Sequence, residues 1–233
     1  MFFLALTAWC KNSPRRFASR HSTNPRSTIS RSAIRASKSL DSTRDLWLYS
    51  AAMSDGFRFA DGHELLLSAS TSGQYGDNGG ENQMLNFSAR YYRQQSGRGL
   101  FFASIAGDTI TNGDPGNQFL LGGDNGLRGY PLRYQSGTHR VLMSIEQRAY
   151  TTWFPFRLFR VGGAAFFDLG RAWEGINQNT ANPGWLSDVG VGLRIFSDRV
   201  AFGKVLHLDI AFPLNSDPAI ASYQFLVKTK TSF

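Results

Sequence analysis

From residue 46 onward, hydrophobic and polar residues alternate in segments of about ten residues, separated by clusters of Gly, Asn, Asp and Pro. Alternation with a period of two places successive side chains on opposite faces of a β-strand. In VLMSIEQRAY, residues 141–150, the Val, Met and Ile side chains share one face, and Ser144, Glu146 and Arg148 share the other. The pattern predicts about nine strands and no helix.

Four more segments with this alternation follow toward the C-terminus. The first places Asp168 on its polar face, and the last places Tyr223, Phe225 and Phe233 on its apolar face. These segments are RVGGAAFFDLG, DVGVGLRIF, KVLHLDIAF and YQFLVKTKTSF, and four further ones lie upstream around Leu46–Phe59, His63–Ser72, Met84–Arg93 and Leu100–Thr109.

Alternation by itself also fits a soluble β-sandwich. Three features instead favour a transmembrane antiparallel β-barrel. The polar faces carry glycines and isolated charges, as a water-filled lumen would, and short connections alternate with long ones. Aromatic residues also gather at segment ends, with Trp153, Phe154 and Phe156 at one turn and Trp173 and Trp185 on the opposite side. No apolar run approaches the roughly 18 residues of a membrane helix, so a closed barrel is the remaining way to span lipid.

The positive charge of the chain is concentrated in residues 1–45. They hold nine Lys and Arg against two Asp and Glu, whereas residues 46–233 hold sixteen against fifteen. The N-terminal segment is rich in Ser and Arg and poor in aromatics, so we expect residues 1–45 to be disordered and residues 46–233 to form the barrel domain. One cysteine and four scattered histidines predict no disulfide, metal or cofactor, and we expect no nucleic-acid partner.

The stretch GGDNGLRGYP, residues 122–131, carries a single arginine, Arg128, on a glycine-rich loop. A phosphate cradle would need Lys followed by Ser or Thr and then a helix, and the sequence offers neither. Calcium loops in DTITNGDPGN or GDNGGEN lack the full acidic spacing. A solvated arginine is the simplest alternative, and the loop residues alone leave it open.

The motif GLRGYP is followed by a strand containing Glu146, by FFDLGRAW on the next strand and by a terminal Phe. This combination resembles the C-terminal barrel half of the bacterial surface antigen superfamily, which includes outer-membrane assembly factors of the BamA and TamA type and the transporters of two-partner secretion. The similarity covers residues 46–233. It implies that the loop folds back into the barrel lumen, where its arginine meets acidic side chains of neighbouring strands.

Transferred to this chain, the resemblance implies a lock between the loop and the lumen wall. Arg128 is the cation at the loop tip, and Gly129 and Tyr130 complete its motif. Asp168 is the acidic residue of the Phe-x-Asp-x-Gly strand and the first partner of Arg128, and Glu146 is the second partner of Arg128. The alternation agrees, because both carboxylates fall on polar faces. Glycines let the loop bend inward, and the guanidinium fork suits charge-assisted bonds.

The C-terminal residue is expected to have a role of its own. Phe233 ends the chain in phase with Tyr223 and Phe225, and a terminal aromatic in this phase resembles the signal by which barrels are recognised for assembly. A simpler alternative is that Phe233 only anchors one strand at the membrane interface.

The chain also departs from the superfamily pattern. A full barrel of this superfamily has sixteen strands preceded by periplasmic peptide-binding domains, so we expect residues 46–233 to be the C-terminal part of a larger barrel. Bacterial single-chain barrels have even strand numbers, whereas about nine strands are predicted here and residues 1–45 offer no obvious tenth. We therefore expect the chain to be a fragment or to pair with another chain.

These features predict a bacterial outer-membrane protein that takes part in insertion or translocation of proteins and is not an enzyme. Its expected partners are outer-membrane lipid, the barrel assembly machinery and a client polypeptide that pairs at a seam in residues 223–233. The alternative is a structural or pore-forming barrel without client handling. Similar barrels occur fused to lipid-hydrolysing domains, but the sequence has no Gly-x-Ser-x-Gly nucleophile motif.

Overall fold

The computed structural model describes residues 31–41, 44–76, 79–95, 97–114, 116–155, 158–174, 184–196, 204–215, 218 and 220–231. This part of the chain is all-β apart from one short 3-10 helix at Gly123–Asn125. Its strands are β1 (Arg31–Asp41), β2 (Arg44–Ala60), β3 (His63–Gly76), β4 (Gly79–Gln94), β5 (Gly99–Thr111), β6 (Phe119–Leu121), β7 (Gln135–Gly137), β8 (His139–Tyr150), β9 (Arg160–Trp173), β10 (Leu186–Phe196), β11 (Lys204–Pro213) and β12 (Gln224–Thr231).

Ten of these strands form one antiparallel sheet, in the order β1-β2-β3-β4-β5-β8-β9-β10-β11-β12. Each strand pairs with its neighbours in sequence, except that β5 pairs with β8 across a long connection. That connection contains β6 and β7, which pair with each other. Within the described residues β1 and β12 are the two edges, and the sheet is not closed. The predicted all-β antiparallel fold is confirmed, whereas the closed barrel and its sixteen strands stay predictions.

The first strand corrects the sequence analysis. β1 lies inside the segment expected to be disordered, and it pairs with β2 from Arg31 opposite Ser54 to Asp41 opposite Arg44. Within the described residues the main sheet therefore has ten strands, one more than the roughly nine that the alternation predicts. The odd strand count no longer supports a missing partner strand, whereas the larger barrel implied by the resemblance stays a prediction. A neighbouring strand supplies the backbone hydrogen bonds, so a segment with weak apolar alternation can still form an edge strand.

The register preserves the predicted alternation across the sheet. The face that we call the outer face exposes large apolar side chains, and Val191 lies opposite Ile210, which in turn lies opposite Phe225. The opposite face, the inner face, contains Glu146 and Asp168. Because side chains alternate with a period of two, each strand presents one set of residues to each face.

The aromatic residues expected at segment ends lie at opposite ends of β8. Trp173 pairs with the first residue of β8, His139, whereas the exposed Trp153 follows the last residue of that strand. Trp185 is exposed immediately before β10, and Phe156 lies outside the described residues. Among the described residues, no helix has the length and apolar character needed to cross a membrane.

The buried apolar core lies between the inner face and the connection from β5 to β8. Leu121, Leu127 and Tyr130 come from the connection, and Ala172 and Leu186 come from β9 and β10. All five side chains are at most 4% exposed. The connection thus supplies three of the five residues of this apolar cluster, which packs the connection against the sheet.

Candidate functional site

The loop around Arg128 folds back onto the inner face of the sheet. Its turn contains three glycines with left-handed backbone angles, Gly122 at φ 117°, Gly123 at φ 56° and Gly126 at φ 122°. Such angles are costly for residues with a Cβ, which explains the glycine-rich composition. The turn brings Arg128 to the sheet in a buried position, with its side chain 5% exposed.

The guanidinium of Arg128 binds carboxylates from three different strands. Its Nε donates to Oδ2 of Asp168 at 2.6 Å, and its Nη2 donates to Oδ1 of the same carboxylate at 2.9 Å. Its Nη1 donates to Oε2 of Glu146 at 3.0 Å and to Oδ2 of Asp209 at 3.3 Å. The contact with Asp168 is bidentate, a geometry that arginine can make and lysine cannot.

Two further contacts complete the surroundings of Arg128. The Phe166 ring lies under the guanidinium, with 3.3 Å between Cζ and the ring centroid, and Ser144 Oγ lies 3.4 Å from Nη2. Burial by itself lowers the pKa of Arg128, but the hydrogen bond and charge of Asp168, followed by the charges of Glu146 and Asp209, raise the pKa above its ordinary value. Arg128 is therefore a permanent cation in this position.

Two of the three carboxylates that meet Arg128, those of Glu146 and Asp209, also bind arginines of the sheet itself. Oε1 of Glu146 accepts from Arg148 Nε at 2.7 Å and from Arg194 Nη2 at 2.8 Å. Arg194 Nη1 also donates to Oδ1 of Asp209 at 2.5 Å. The loop arginine thus joins an ion network that spans β8, β9, β10 and β11, and each carboxylate in it has at least one cationic partner.

Gly129 brings the loop backbone against the sheet. Its N–H donates to Oδ2 of Asp188 at 2.9 Å. A Cβ added at Gly129 would lie 2.6 Å from Cβ of Asp188 and 3.0 Å from the backbone N of Pro213. The motif therefore needs glycine here because there is no room for a side chain, and not because of an unusual φ.

Tyr130 anchors the other side of the motif. Its hydroxyl lies 3.0 Å from the carbonyl O of Ser187 and 3.0 Å from Oδ1 of Asn215, and its ring packs against Tyr134 at a centroid distance of 5.1 Å. The side chain is 1% exposed. Tyr130 therefore ties the loop to the beginning of β10 and to the residues that follow β11.

The structure brings together Arg128, Glu146 and Asp168 from the predicted set, and it places Gly129 and Tyr130 beside other partners. Sequence reasoning missed Arg194, Asp209 and Asp188. Arg194 and Asp209 lie in the predicted strands DVGVGLRIF and KVLHLDIAF, but alternation does not say how far along its strand a residue sits relative to the loop tip. That position depends on strand stagger, which no local pattern reveals.

A second arginine contact at the base of the loop was also missed. Arg140 of β8 donates through Nε and Nη2 to Oδ2 of Asp108, at 2.9 and 2.7 Å, and through Nη1 to the carbonyl of Leu120 at 2.9 Å. Its guanidinium also lies over Phe119, 5.3 Å from the ring centroid. The loop is therefore held at its tip by Arg128 and at its base by Arg140.

Of the residues named as an assembly signal, Tyr223 and Phe225 lie apart from this network. Tyr223 and Phe225 are each 61% exposed on the outer side, and Phe233 lies outside the described residues.

Among the described residues no group of three His, Cys, Asp or Glu is placed to hold a metal ion. The network is suited to holding one conformation of a loop, because its buried charges are paired and hydrogen-bonded.

A family model for the Omp85 superfamily domain matches residues 29–233, which includes β1. A comparison with curated proteins finds no match. Members of this superfamily are transporters and insertases rather than enzymes, and the superfamily is characteristic of the outer membranes of bacteria. The chain belongs to the Omp85 superfamily, whose β-barrels insert or translocate proteins at the outer membrane.

Proposed function

We propose that this chain forms part of an outer-membrane barrel that inserts or translocates other polypeptides, and that a client strand pairs with the edge of β12. The observation that carries the proposal is the open sheet. Within the described residues β12 pairs with β11 and with no second strand. An edge strand presents unpaired N–H and C=O groups, which are costly in lipid and are a template for an incoming strand.

The Arg128 loop supports this function by holding the sheet beside the edge in one shape. In our proposal Arg128, Gly129, Tyr130, Glu146 and Asp168 act as a lock inside the lumen. The lock joins β8, β9 and β11 through buried ion pairs, so these strands keep a common register while β12 exchanges partners. Strand exchange at β12 requires that the neighbouring strands keep their register while β12 itself can separate from its partner.

The proposal can be tested with a photo-crosslinking residue placed at Val227 of the full chain, expressed with an export signal. Val227 lies on the outer face of edge strand β12 and is 59% exposed. The matched control position is Val191, which is 56% exposed on β10, a strand with neighbours on both sides. We expect adducts with nascent outer-membrane proteins from Val227 and few from Val191. Equal adducts from both positions, or none from Val227, would contradict client pairing at the edge.

A small closed barrel without client handling is the second candidate, because the described part of the chain places ten strands in the main sheet, and bacterial single-chain barrels have even strand numbers. In this case β1 and β12 pair with each other. A heat-modifiable monomer of 25.9 kDa, with crosslinks from Val227 to β1 of the same chain, would favour this candidate. A requirement for a second chain or for additional sequence would favour the larger barrel.

The proposal also extends to location and assembly. Its partners are outer-membrane lipid and the barrel assembly machinery, with Phe233, Phe225 and Tyr223 as the assembly signal. Deleting Phe233 should lower the assembled fraction and increase periplasmic degradation, as measured by heat-modifiable gel mobility. Unchanged assembly would leave Phe233 as an interface anchor. Recovery of the exported chain as a soluble monomer would contradict the membrane location itself.

A further inference from the structure

Lys228 connects the edge strand to the turn of the loop. It lies on the inner face of β12, and its Nζ donates to the carbonyl O of Gly123 at 3.1 Å. The same Nζ lies 3.2 Å from Oδ1 of Asp124. Gly123 and Asp124 are the first two residues of the 3-10 helix at Gly123–Asn125. The contact thus spans 105 residues of sequence and joins the last described strand to the loop.

The two contacts of Lys228 differ in strength. The carboxylate of Asp124 is 69% exposed, so solvent screens its ion pair with Lys228. The Gly123 residue is buried, and its N–H donates to the carbonyl of Leu127 at 2.7 Å, which fixes the direction of the turn. The bond to the Gly123 carbonyl is therefore the main contact. It depends on the position of Leu127, the residue immediately before Arg128.

The loop therefore connects the edge strand β12 to strands β8, β9 and β11. Arg128 binds carboxylates on β8, β9 and β11, while Lys228 binds the turn four to five residues earlier from β12. Among the described residues β12 has a single strand neighbour, so its contact with the loop is a second attachment. A rigid loop held at one side by buried ion pairs can transmit its position to β12 through Lys228.

We propose that Lys228 is a positioning residue that couples the Arg128 lock to the edge strand. When the contacts of Arg128 are lost, β12 becomes less stable. When Lys228 is lost, the stability of β12 no longer depends on the contacts of Arg128. This inference rests on the proposed function in one respect, since the edge of β12 is where the client pairs. Its physical content, a coupling between loop and edge, is measurable without a client.

Hydrogen–deuterium exchange of the full chain in lipid nanodiscs tests the coupling. We expect Lys228→Met to speed exchange of the β12 amides about three- to tenfold, as loss of a single hydrogen bond would, and to leave β2 and β3 unchanged. Lys228→Arg, which keeps a donor, should restore most of the protection. The control is Gln224→Met, a substitution on the same face of the same strand at a residue without a contact to the turn among those described. The β12 amides of the Gln224→Met variant should exchange at the wild-type rate.

A double-mutant comparison separates coupling from local packing. If Lys228 acts through the loop, Lys228→Met should add little to the β12 exchange of Arg128→Ala; an additive effect would overturn the inference. Asp124→Asn tests the loop side while keeping the buried arginine, and should raise β12 exchange less than Lys228→Met does. Unchanged β12 exchange in both Asp124→Asn and Lys228→Met would also overturn it.

The Val227 crosslinks provide an independent measurement of the proposed function. Coupling without client adducts would contradict client pairing and keep the role of Lys228. Client adducts without coupling would contradict the role of Lys228 and keep the proposed function.

Discussion

Strands β8–β11 and strands β2–β5 share the same alternation, but different side chains cover their inner faces. In β8–β11 the inner face carries Glu146, Asp168, Arg194 and Asp209, all at most 2% exposed beneath the loop. In β2–β5 the inner face borders a cavity of about 880 Å³, lined by serine, leucine and charged side chains that include Ser54, Ser68, Leu66, Glu64 and Arg90.

The difference follows from the cost of burying charge. A row of carboxylates and arginines can be covered by protein only if each charge meets a partner with good geometry. Arg128 of the loop is the partner that the strands themselves do not supply. Hydroxyl groups make weaker demands, because each can bond a neighbouring strand or a water molecule. Buried charges on the inner face therefore mark the part of the sheet that a loop covers, whereas charges in the open part, such as those of Arg58 and Arg90, stay exposed.

The largest effect is expected for Arg128→Ala. The substitution leaves the buried Asp168 without its cation, and breaking a buried ion pair costs about 3–5 kcal/mol. In the open half, Arg58→Ala removes a side chain that is 59% exposed and 3.9 Å from Glu64, which should cost less than about 0.5 kcal/mol. Urea unfolding in lipid measures both, and protease cleavage within residues 112–138 reports loop release. Similar costs for the two variants would remove the distinction between the halves.

Asp168→Asn should be the next most damaging change, with a loss of about 2 kcal/mol in the free energy of unfolding. Arg128 donates to both oxygens of Asp168, whereas an amide offers one oxygen and an NH₂ group that cannot accept. Asp188→Asn should be nearly neutral. Asp188 lies directly opposite Asp168, and its buried Oδ1 has no hydrogen-bond partner among the described residues. An Asn at 188 still accepts from Gly129 and can donate to Asp168. The comparison uses the same urea titration, and a larger loss for Asp188→Asn would contradict this account.

Gly129→Ala is expected to cost about 1–3 kcal/mol, since its Cβ would meet the backbone N of Pro213 at 3.0 Å, and backbone cannot move aside easily. Gly116→Ala, in the same connection, should stay within about 0.5 kcal/mol because no atom lies within 4 Å of the added Cβ. Protease sensitivity of the loop should rise in the first variant alone. A resistant Gly129→Ala loop would show that the close approach is not required.

The smallest effects compare serines on the two inner faces. Ser144 Oγ donates to the carboxylate of Asp168 at 2.5 Å, so Ser144→Ala should cost about 1.5 kcal/mol. Ser68 Oγ lies 2.7 Å from Ser88 Oγ beside the cavity, where water can replace it, and Ser68→Ala should cost less than about 1 kcal/mol. Unfolding free energies decide the order. A reversed order would mean that the open half is held as tightly as the covered one.

Much of the fold could be read from alternation, and the exception is informative. The polar faces of β8 and β9, which carry Glu146 and Asp168, could be predicted correctly because period two is a property of each strand alone. β1 was missed because its Ser- and Arg-rich sequence resembles a solvated segment, and its backbone bonds come from β2. Edge strands bury less side-chain surface, so their composition is the least diagnostic.

The sequence by itself determined which residues share a face, where the chain can turn sharply, and that one loop carries a permanent cation. Only the tertiary structure decided which charges meet that cation. Asp209 lies 81 residues from Arg128, and Gly123 lies 105 residues from Lys228. Such contacts depend on the stagger between strands and on how far a long connection folds back, and both are set by pairing across the whole sheet rather than by local pattern.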